Sequence, residues 1–256
     1  MRGGRTELLV CRDLHEMSRR AAELFVRLAD TAVSSSGRFT VALSGGATPK
    51  GLYTLLAGDQ FRPQVSWSRV HLFWGDERCV PPDHPESNYR MVRELLLDRV
   101  PIPQHNVHRM PAEDEDPARA GAEYETTLRA FFEVDVGEFP RFDLILLGLG
   151  QDGHTASLFP GTAALAETER LVASTDVEQH GTVRLTLTVP VINRAASVVF
   201  VVAGEAKASV LRGVLGDKRG PERLPAQRIQ PVSGKLWFIV DRAAAKELTL
   251  PGARET

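Results

Sequence analysis

Cysteine is scarce in this sequence. Only Cys11 and Cys79 occur among 256 residues, far apart and in no CxxC pair. That spacing excludes a disulfide-stapled framework and a structural zinc site, and it suits a reducing cytosol. Long hydrophobic runs are missing too. Near the N-terminus the only apolar run is Leu8-Leu9-Val10-Cys11, too short for a signal-peptide core, and no run is long enough to cross a bilayer. Charge of one sign is equally lacking: 31 Lys and Arg stand against 33 Asp and Glu, a net −2. Without a global basic field, neither nucleic acid nor an acidic membrane is an expected partner. The expectation is a cytoplasmic protein, monomeric or homodimeric, that handles small molecules.

What is present suffices for a folded core: 43% hydrophobic and 25% charged residues exclude disorder and fibrous architecture. Five short runs, Phe39–Leu43, Val70–Trp74, Phe142–Leu147, Ser197–Ala203 and Leu236–Val240, are almost continuously apolar. Their weak period-2 alternation predicts strands covered on both faces. Helix signals separate them. Asp13 and Glu16 make a capping-box-like start to an amphipathic stretch that stops near Gly37. Thr48-Pro49 reads as N-cap and first helical residue, with Gly58 as the stop. Ser87, Asp116-Pro117 and Glu205 open three more, ending near Pro101, Phe132 and Gly216. Strands alternating with helices predict a three-layer α/β/α sandwich with a mainly parallel sheet, and the segment from Arg170 to Val189 predicts an added antiparallel element. No interdomain linker or internal repeat stands out, so one domain over residues 1–256 is expected.

In parallel α/β sheets, ligands bind beyond the carboxyl ends of the strands. The first such segment is Ser44-Gly45-Gly46-Ala47-Thr48-Pro49. Glycines let backbone N–H groups approach an anion, and the following helix start favours negative charge. This loop is no Walker motif, and a tight connection that binds nothing stays open. The second, Asp76-Glu77-Arg78, places three charges where a cleft belongs. The carboxylates suit acid/base or orienting work and Arg78 suits an anion, against the alternative of a solvated turn. The third, Gly148-Leu149-Gly150-Gln151-Asp152-Gly153-His154, matches GxGxxG literally. Pro160-Gly161 follows too soon for the long helix that a dinucleotide site requires. The loop instead sets Asp152 two residues from His154, a carboxylate beside an imidazole suited to general-base chemistry. His15, His71, His84, His105, His108 and His180 read as structural or solvated. Lys207, in the first helical turn after Ala203-Gly204, and Arg184 are cations that can reach an anion or simply face solvent. No GxSxG elbow and no metal-ligand spacing occurs. The residues themselves lead to a phosphorylated small molecule and proton transfer.

Four stretches in this order resemble the 6-phosphogluconolactonase family. They are Leu43–Pro49; Trp74–Arg78 with Ser87-Asn88-Tyr89; Gly148–Pro160; and Pro225-Ala226-Gln227 with Gly234–Trp237. Related glucosamine-6-phosphate deaminases tend to carry a Phe-Asn-Glu-Pro-like run after the histidine, where this chain has Ala156-Ser157-Leu158-Phe159-Pro160. The resemblance implies a sugar-phosphate isomerase-like fold and hydrolysis of 6-phosphoglucono-1,5-lactone in the oxidative pentose phosphate pathway, with no cofactor and no metal. In that reading Ser44, Gly45, Gly46, Thr48, Asp76, Arg78, Arg184 and Lys207 hold the sugar phosphate. His154 is the base and Asp152 orients it. The alternatives are an aminosugar-phosphate deaminase or isomerase, a non-catalytic sugar-phosphate sensor, and a dinucleotide-dependent oxidoreductase.

Overall fold

The computed structural model describes residues 6–177, 181–216 and 224–249. The expectations placed on Met1–Arg5, His180 and most of the loop between Gly216 and Pro225 lie outside these residues.

In chain order the strands are β1 (Thr6–Cys11), β2 (Phe39–Leu43), β3 (Val70–Trp74), β4 (Asp76–Arg78), β5 (Val107–His108), β6 (Leu144–Leu147), β7 (Val172–Val177), β8 (Thr182–Leu187), β9 (Ser197–Val202) and β10 (Lys235–Asp241). The helices are α1 (Leu14–Ser36), α2 (Lys50–Ala57), α3 (Asn88–Leu95), α4 (Pro117–Phe132), α5 (Ala163–Ala166), α6 (Val189–Arg194) and α7 (Ala208–Leu215). Seven strands form one sheet in the order β1-β10-β9-β6-β2-β3-β5, and every neighbouring pair in it is parallel. Helices cover both of its faces, the three-layer arrangement that the alternating pattern predicts. A second sheet, β4-β8-β7, is antiparallel. It supplies the antiparallel element expected between Arg170 and Val189.

The central strands β2, β6 and β9 are buried at every position, which is why they read as unbroken apolar runs. Side chains satisfy orphan backbone groups at the starts of α1, α3 and α4. Asp13 accepts the Glu16 N–H at 2.8 Å to open α1, and Gly37 closes it in the left-handed region at φ 76°. Asp116 caps α4 through the N–H groups of Ala118 and Arg119. Beneath α4, Phe73 packs edge-on against Phe131 and Phe142. The His108 ring stacks on Phe73 at 4.4 Å, and burial pushes its pKa down to about 4.

Several expectations shift. Asp76-Glu77-Arg78 is a short strand rather than a turn: it pairs with β8, with Arg78 directly opposite Arg184. Thr48 does not cap α2, which begins at Lys50 after Pro49. The helix expected from Glu205 begins as a tight 3₁₀ turn, Glu205–Lys207, and becomes α-helical at Ala208. The run Leu8–Cys11 belongs to an edge strand, with Leu8 and Leu9 partly exposed. Among the described residues no helix is long and apolar enough to cross a membrane.

Parallel pairing sends the carboxyl ends of β2, β3, β6 and β9 to one edge of the sheet. From β2 the chain moves outward to β3, and from β6 it reaches β9 on the other side. The loops after β2 and β6 therefore diverge, opening a crevice at the topological switch point.

Candidate active site

That crevice is a cleft of about 290 Å³. Nine of the ten site residues expected from the sequence line it: Ser44, Gly45, Gly46, Thr48, Asp76, Arg78, His154, Arg184 and Lys207. The tenth, Asp152, stands behind His154 and faces a neighbouring cavity of about 520 Å³.

The turn after β2 is held from below. The buried Tyr53 hydroxyl accepts the Ser44 N–H at 3.1 Å and donates to the Ser44 carbonyl at 2.7 Å. Burial raises the pKa of this phenol, so it keeps the proton that it donates. Gly46 has φ +86°, a conformation that glycine adopts without a Cβ penalty. A Cβ on Gly45 would lie 1.9 Å from Asn88 Oδ1. The Gly-Gly pair thus serves a positive φ and a close approach, with Asn88 on the other side.

In β4 the three charged residues divide the work. Asp76 is buried and accepts the Ser157 hydroxyl at 2.8 Å. Glu77 turns to the start of α3, where its carboxylate accepts the N–H groups of Arg78, Asn88 and Tyr89 at 2.7–2.8 Å and the Ser87 hydroxyl at 3.1 Å. Burial raises its pKa while the three N–H groups oppose that shift. Those contacts make Glu77 a fastener between β4 and α3; unlike Asp76, it does not line the cleft. Arg78 donates to the Glu86 carbonyl at 2.6 Å and to Asn88 Oδ1 at 2.8 Å. Both acceptors are uncharged, so its positive charge is uncompensated by them.

Opposite Arg78, the Arg184 guanidinium lies over the Phe159 ring at 5.4 Å. Burial and the neighbouring Arg78 lower its pKa. The Nε atoms of both arginines are buried without a hydrogen-bond partner among the described residues. Burial also lowers the pKa of Lys207, and Asp152 partly offsets this. Arg78, Arg184 and Lys207 form no ion pair among the described residues. Like charges directly across an antiparallel pair repel; an anion in the cleft relieves that repulsion.

The loop after β6 sets an imidazole against a carboxylate. Asp152 Oδ1 lies 2.6 Å from His154 Nδ1 and also accepts the His154 backbone N–H at 3.1 Å. Nδ1 therefore carries the hydrogen toward the carboxylate, and Nε2 keeps a lone pair. The imidazole packs on Phe159 at 4.2 Å. Burial lowers the pKa of His154 and Asp152 pulls it back upward, so the ring is chiefly neutral near pH 7. The Gly150 N–H donates to the His154 carbonyl at 2.8 Å, closing the loop on itself. Farther along the chain, the Ala226 N–H donates to the Gly153 carbonyl at 2.9 Å. This bond explains how the remote Pro225-Ala226-Gln227 stretch supports the site. After Thr155 comes only the short α5 rather than a long helix, so the GxGxxG match is not a dinucleotide loop.

A Cβ on Gly150 would fall 2.1 Å from His154 Nδ1 and 2.6 Å from Asp152 Oδ1. Gly150→Ala is expected to displace the imidazole and lower kcat by about 100-fold, the usual cost of a displacement near 1 Å. Steady-state kinetics beside a melting curve check this, with a fall in kcat larger than any loss of folded protein.

Sequence reasoning gave no role to three residues here. Asn88 contacts Arg78, Ser157 contacts Asp76, and Phe159 contacts His154. Their signal was present only as motif letters, since each acts through a partner distant in sequence or around a turn. Among the described residues no group of three or more His, Cys, Asp or Glu is arranged to hold a metal ion.

Known proteins resemble this chain in sequence and in fold. The family described as glucosamine-6-phosphate isomerases/6-phosphogluconolactonase matches residues 12–238. The 6-phosphogluconolactonase of Synechocystis sp. is 49% identical over 217 residues, covering 85% of this chain and 88% of its own. That of Nostoc sp. is 46% identical over 231 residues, covering 90% and 93%. The structure of 6-phosphogluconolactonase from Trypanosoma cruzi superposes with a TM-score of 0.85 at 31% identity, covering 97% of this chain and 98% of its own.

Proposed function

The chain belongs to the family of glucosamine-6-phosphate isomerases and 6-phosphogluconolactonases, and from that premise we propose how its cleft works. The protein hydrolyses 6-phosphogluconolactone to 6-phosphogluconate. In our reading His154 is the general base, Asp152 orients it, and the turn Ser44–Thr48 holds the phosphate together with Arg78, Arg184 and Lys207.

One observation carries this assignment. A carboxylate-oriented imidazole and three cations with no ion-pair partner among the described residues line one cleft. A water near Nε2 gives its proton to the imidazole as its oxygen attacks the lactone carbonyl. Asp152 stabilises the imidazolium that forms, as a fixed charge beside the site of developing charge does. The tetrahedral intermediate then collapses. The bond from the carbonyl carbon to the ring oxygen breaks, and the imidazolium returns its proton to the departing oxygen. The new carboxylic acid ionises in solution. Phosphate held at the far end places the carbonyl before the base and supplies binding energy for orientation.

We also infer that residues 1–256 act as one domain, because loops from Ser44 to Ala226 meet around this cleft. The deciding experiment is a coupled assay on freshly made lactone, because the lactone also hydrolyses without enzyme. Turnover well above that background is the expected result. Ammonia release from glucosamine 6-phosphate, with no acceleration of lactone opening, would reverse the reading.

A further inference from the structure

Arg78 is an unusual arginine for a buried cleft, since neither of its acceptors bears a charge. Two carboxylates lie within two residues of it, yet neither hydrogen-bonds its guanidinium. Glu77 is occupied by α3 and Ser87, and Asp76 by Ser157. The side chain that holds the guanidinium is an amide, Asn88, itself only 1% exposed.

Asn88 joins three parts of the site. Its Oδ1 accepts from Arg78 Nη1 at 2.8 Å, and its Nδ2 donates to the Asp76 carbonyl at 2.9 Å. The same amide fills the space beside Gly45, where a Cβ would come within 1.9–2.5 Å of its three terminal atoms. Its own backbone N–H is fixed by Glu77 at 2.7 Å. We propose that Asn88 is a positioning residue of the phosphate site: it holds the Arg78 guanidinium beside the Gly45–Gly46 turn without neutralising it. An aspartate would fit the same volume and bind Arg78 more strongly, while losing the donor that Asn88 Nδ2 offers the Asp76 carbonyl. It would also cancel the charge that the phosphate needs and add a negative charge next to that phosphate. The neutrality of the holder is thus the functional property, and geometry alone is insufficient.

This inference rests on Arg78 being a phosphate ligand, so the experiment includes Arg78→Ala. Asn88→Asp and Asn88→Ala are assayed with 6-phosphogluconolactone and with unphosphorylated gluconolactone, beside a melting curve. Loss of one charged hydrogen-bond partner corresponds to about 10–100-fold in KM. Asn88→Asp is expected to raise KM for the phosphorylated lactone by that factor, with kcat falling less than about threefold. Asn88→Ala should raise KM less, because it removes the holder without adding a charge. Turnover of the unphosphorylated lactone should change little in either. A purely structural amide predicts that both lactones are affected alike, because a carboxylate facing the Asp76 carbonyl would disturb the cleft whatever the substrate. That pattern overturns the proposal, and so does a larger rise in KM for Asn88→Ala than for Asn88→Asp. So does a KM for Asn88→Asp within about threefold of wild type when Arg78→Ala raises it. If Arg78→Ala also leaves KM unchanged, the phosphate assignment itself fails. Should Asn88→Asp not fold, Asn88→Ala decides: a KM unchanged for the phosphorylated lactone overturns the proposal, and a rise confined to that substrate supports it.

Discussion

His154→Ala is expected to lower kcat by about 10²–10⁴-fold, the usual contribution of a positioned general base. KM should change by only a few-fold, because the cations proposed to hold phosphate are left intact. The expectation depends on how completely the ring is specified. Nδ1 is committed to Asp152 at 2.6 Å, Phe159 supports one face, and the absence of a side chain on Gly150 makes room for both groups. Asn at position 154 would retain some polarity but no group able to take a proton near pH 7, so it should be as inactive as Ala. The pH profile adds an independent check. A base must be neutral, so kcat/KM falls as pH drops through the His154 pKa. Burial has moved that pKa below its ordinary value, and Asp152 opposes the shift. Asp152→Asn removes the opposing influence. Its acid limb should therefore move to still lower pH, even as kcat falls for want of orientation and a counter-charge. Near-wild-type turnover in His154→Ala, or an acid limb displaced upward in Asp152→Asn, would remove this pair from the mechanism.

The sequence displayed the central strands clearly because β2, β6 and β9 are buried on both faces, leaving no polar alternation to interrupt them. Helix ends were legible where a side chain performs the capping, as at Asp13, Ser87 and Asp116. Thr48 misled because Pro49 itself precedes the first helical residue and the threonine instead faces the cleft. β4 was illegible for a different reason. Three consecutive charges oppose every strand preference, and only pairing with β8, distant in sequence, makes them a strand. The same long-range dependence hid Asn88, whose meaning lies in contacts with Arg78, Asp76 and Gly45 rather than in its neighbours. Loop motifs therefore named the groups that meet in the cleft, while the residues that position those groups required the fold.

Replacing Arg184 by Met should weaken substrate binding and strengthen the unliganded protein at the same time. Arg184 faces Arg78 across β4 and β8, it is partly desolvated, and its Nε lacks a partner among the described residues. Each condition disfavours the charged side chain in the empty cleft. A guanidinium stays protonated throughout the working pH range, so this cost does not vary with pH. Methionine keeps an apolar stem, gives up the guanidinium's place over the Phe159 ring, and removes both the repulsion and the buried charge. Its unliganded melting temperature should equal or exceed that of wild type. A charged hydrogen bond to phosphate is worth about 1.5–3 kcal/mol, so KM should rise roughly 10–100-fold. Ligand linkage supplies the decisive comparison. A ligand at 100 times its Kd adds about 2.7 kcal/mol to stability, so 6-phosphogluconate should raise the wild-type melting temperature. Arg184→Met, tested at the same concentration, should gain much less because its Kd is higher. A variant with unchanged KM and an undiminished product-induced shift would show that the arginine pair serves something other than phosphate. Loss of stability without ligand would show instead that Arg184 has a structural partner. The expected opposition, a firmer empty protein that binds less well, is what a cleft pays for storing like charges until an anion arrives.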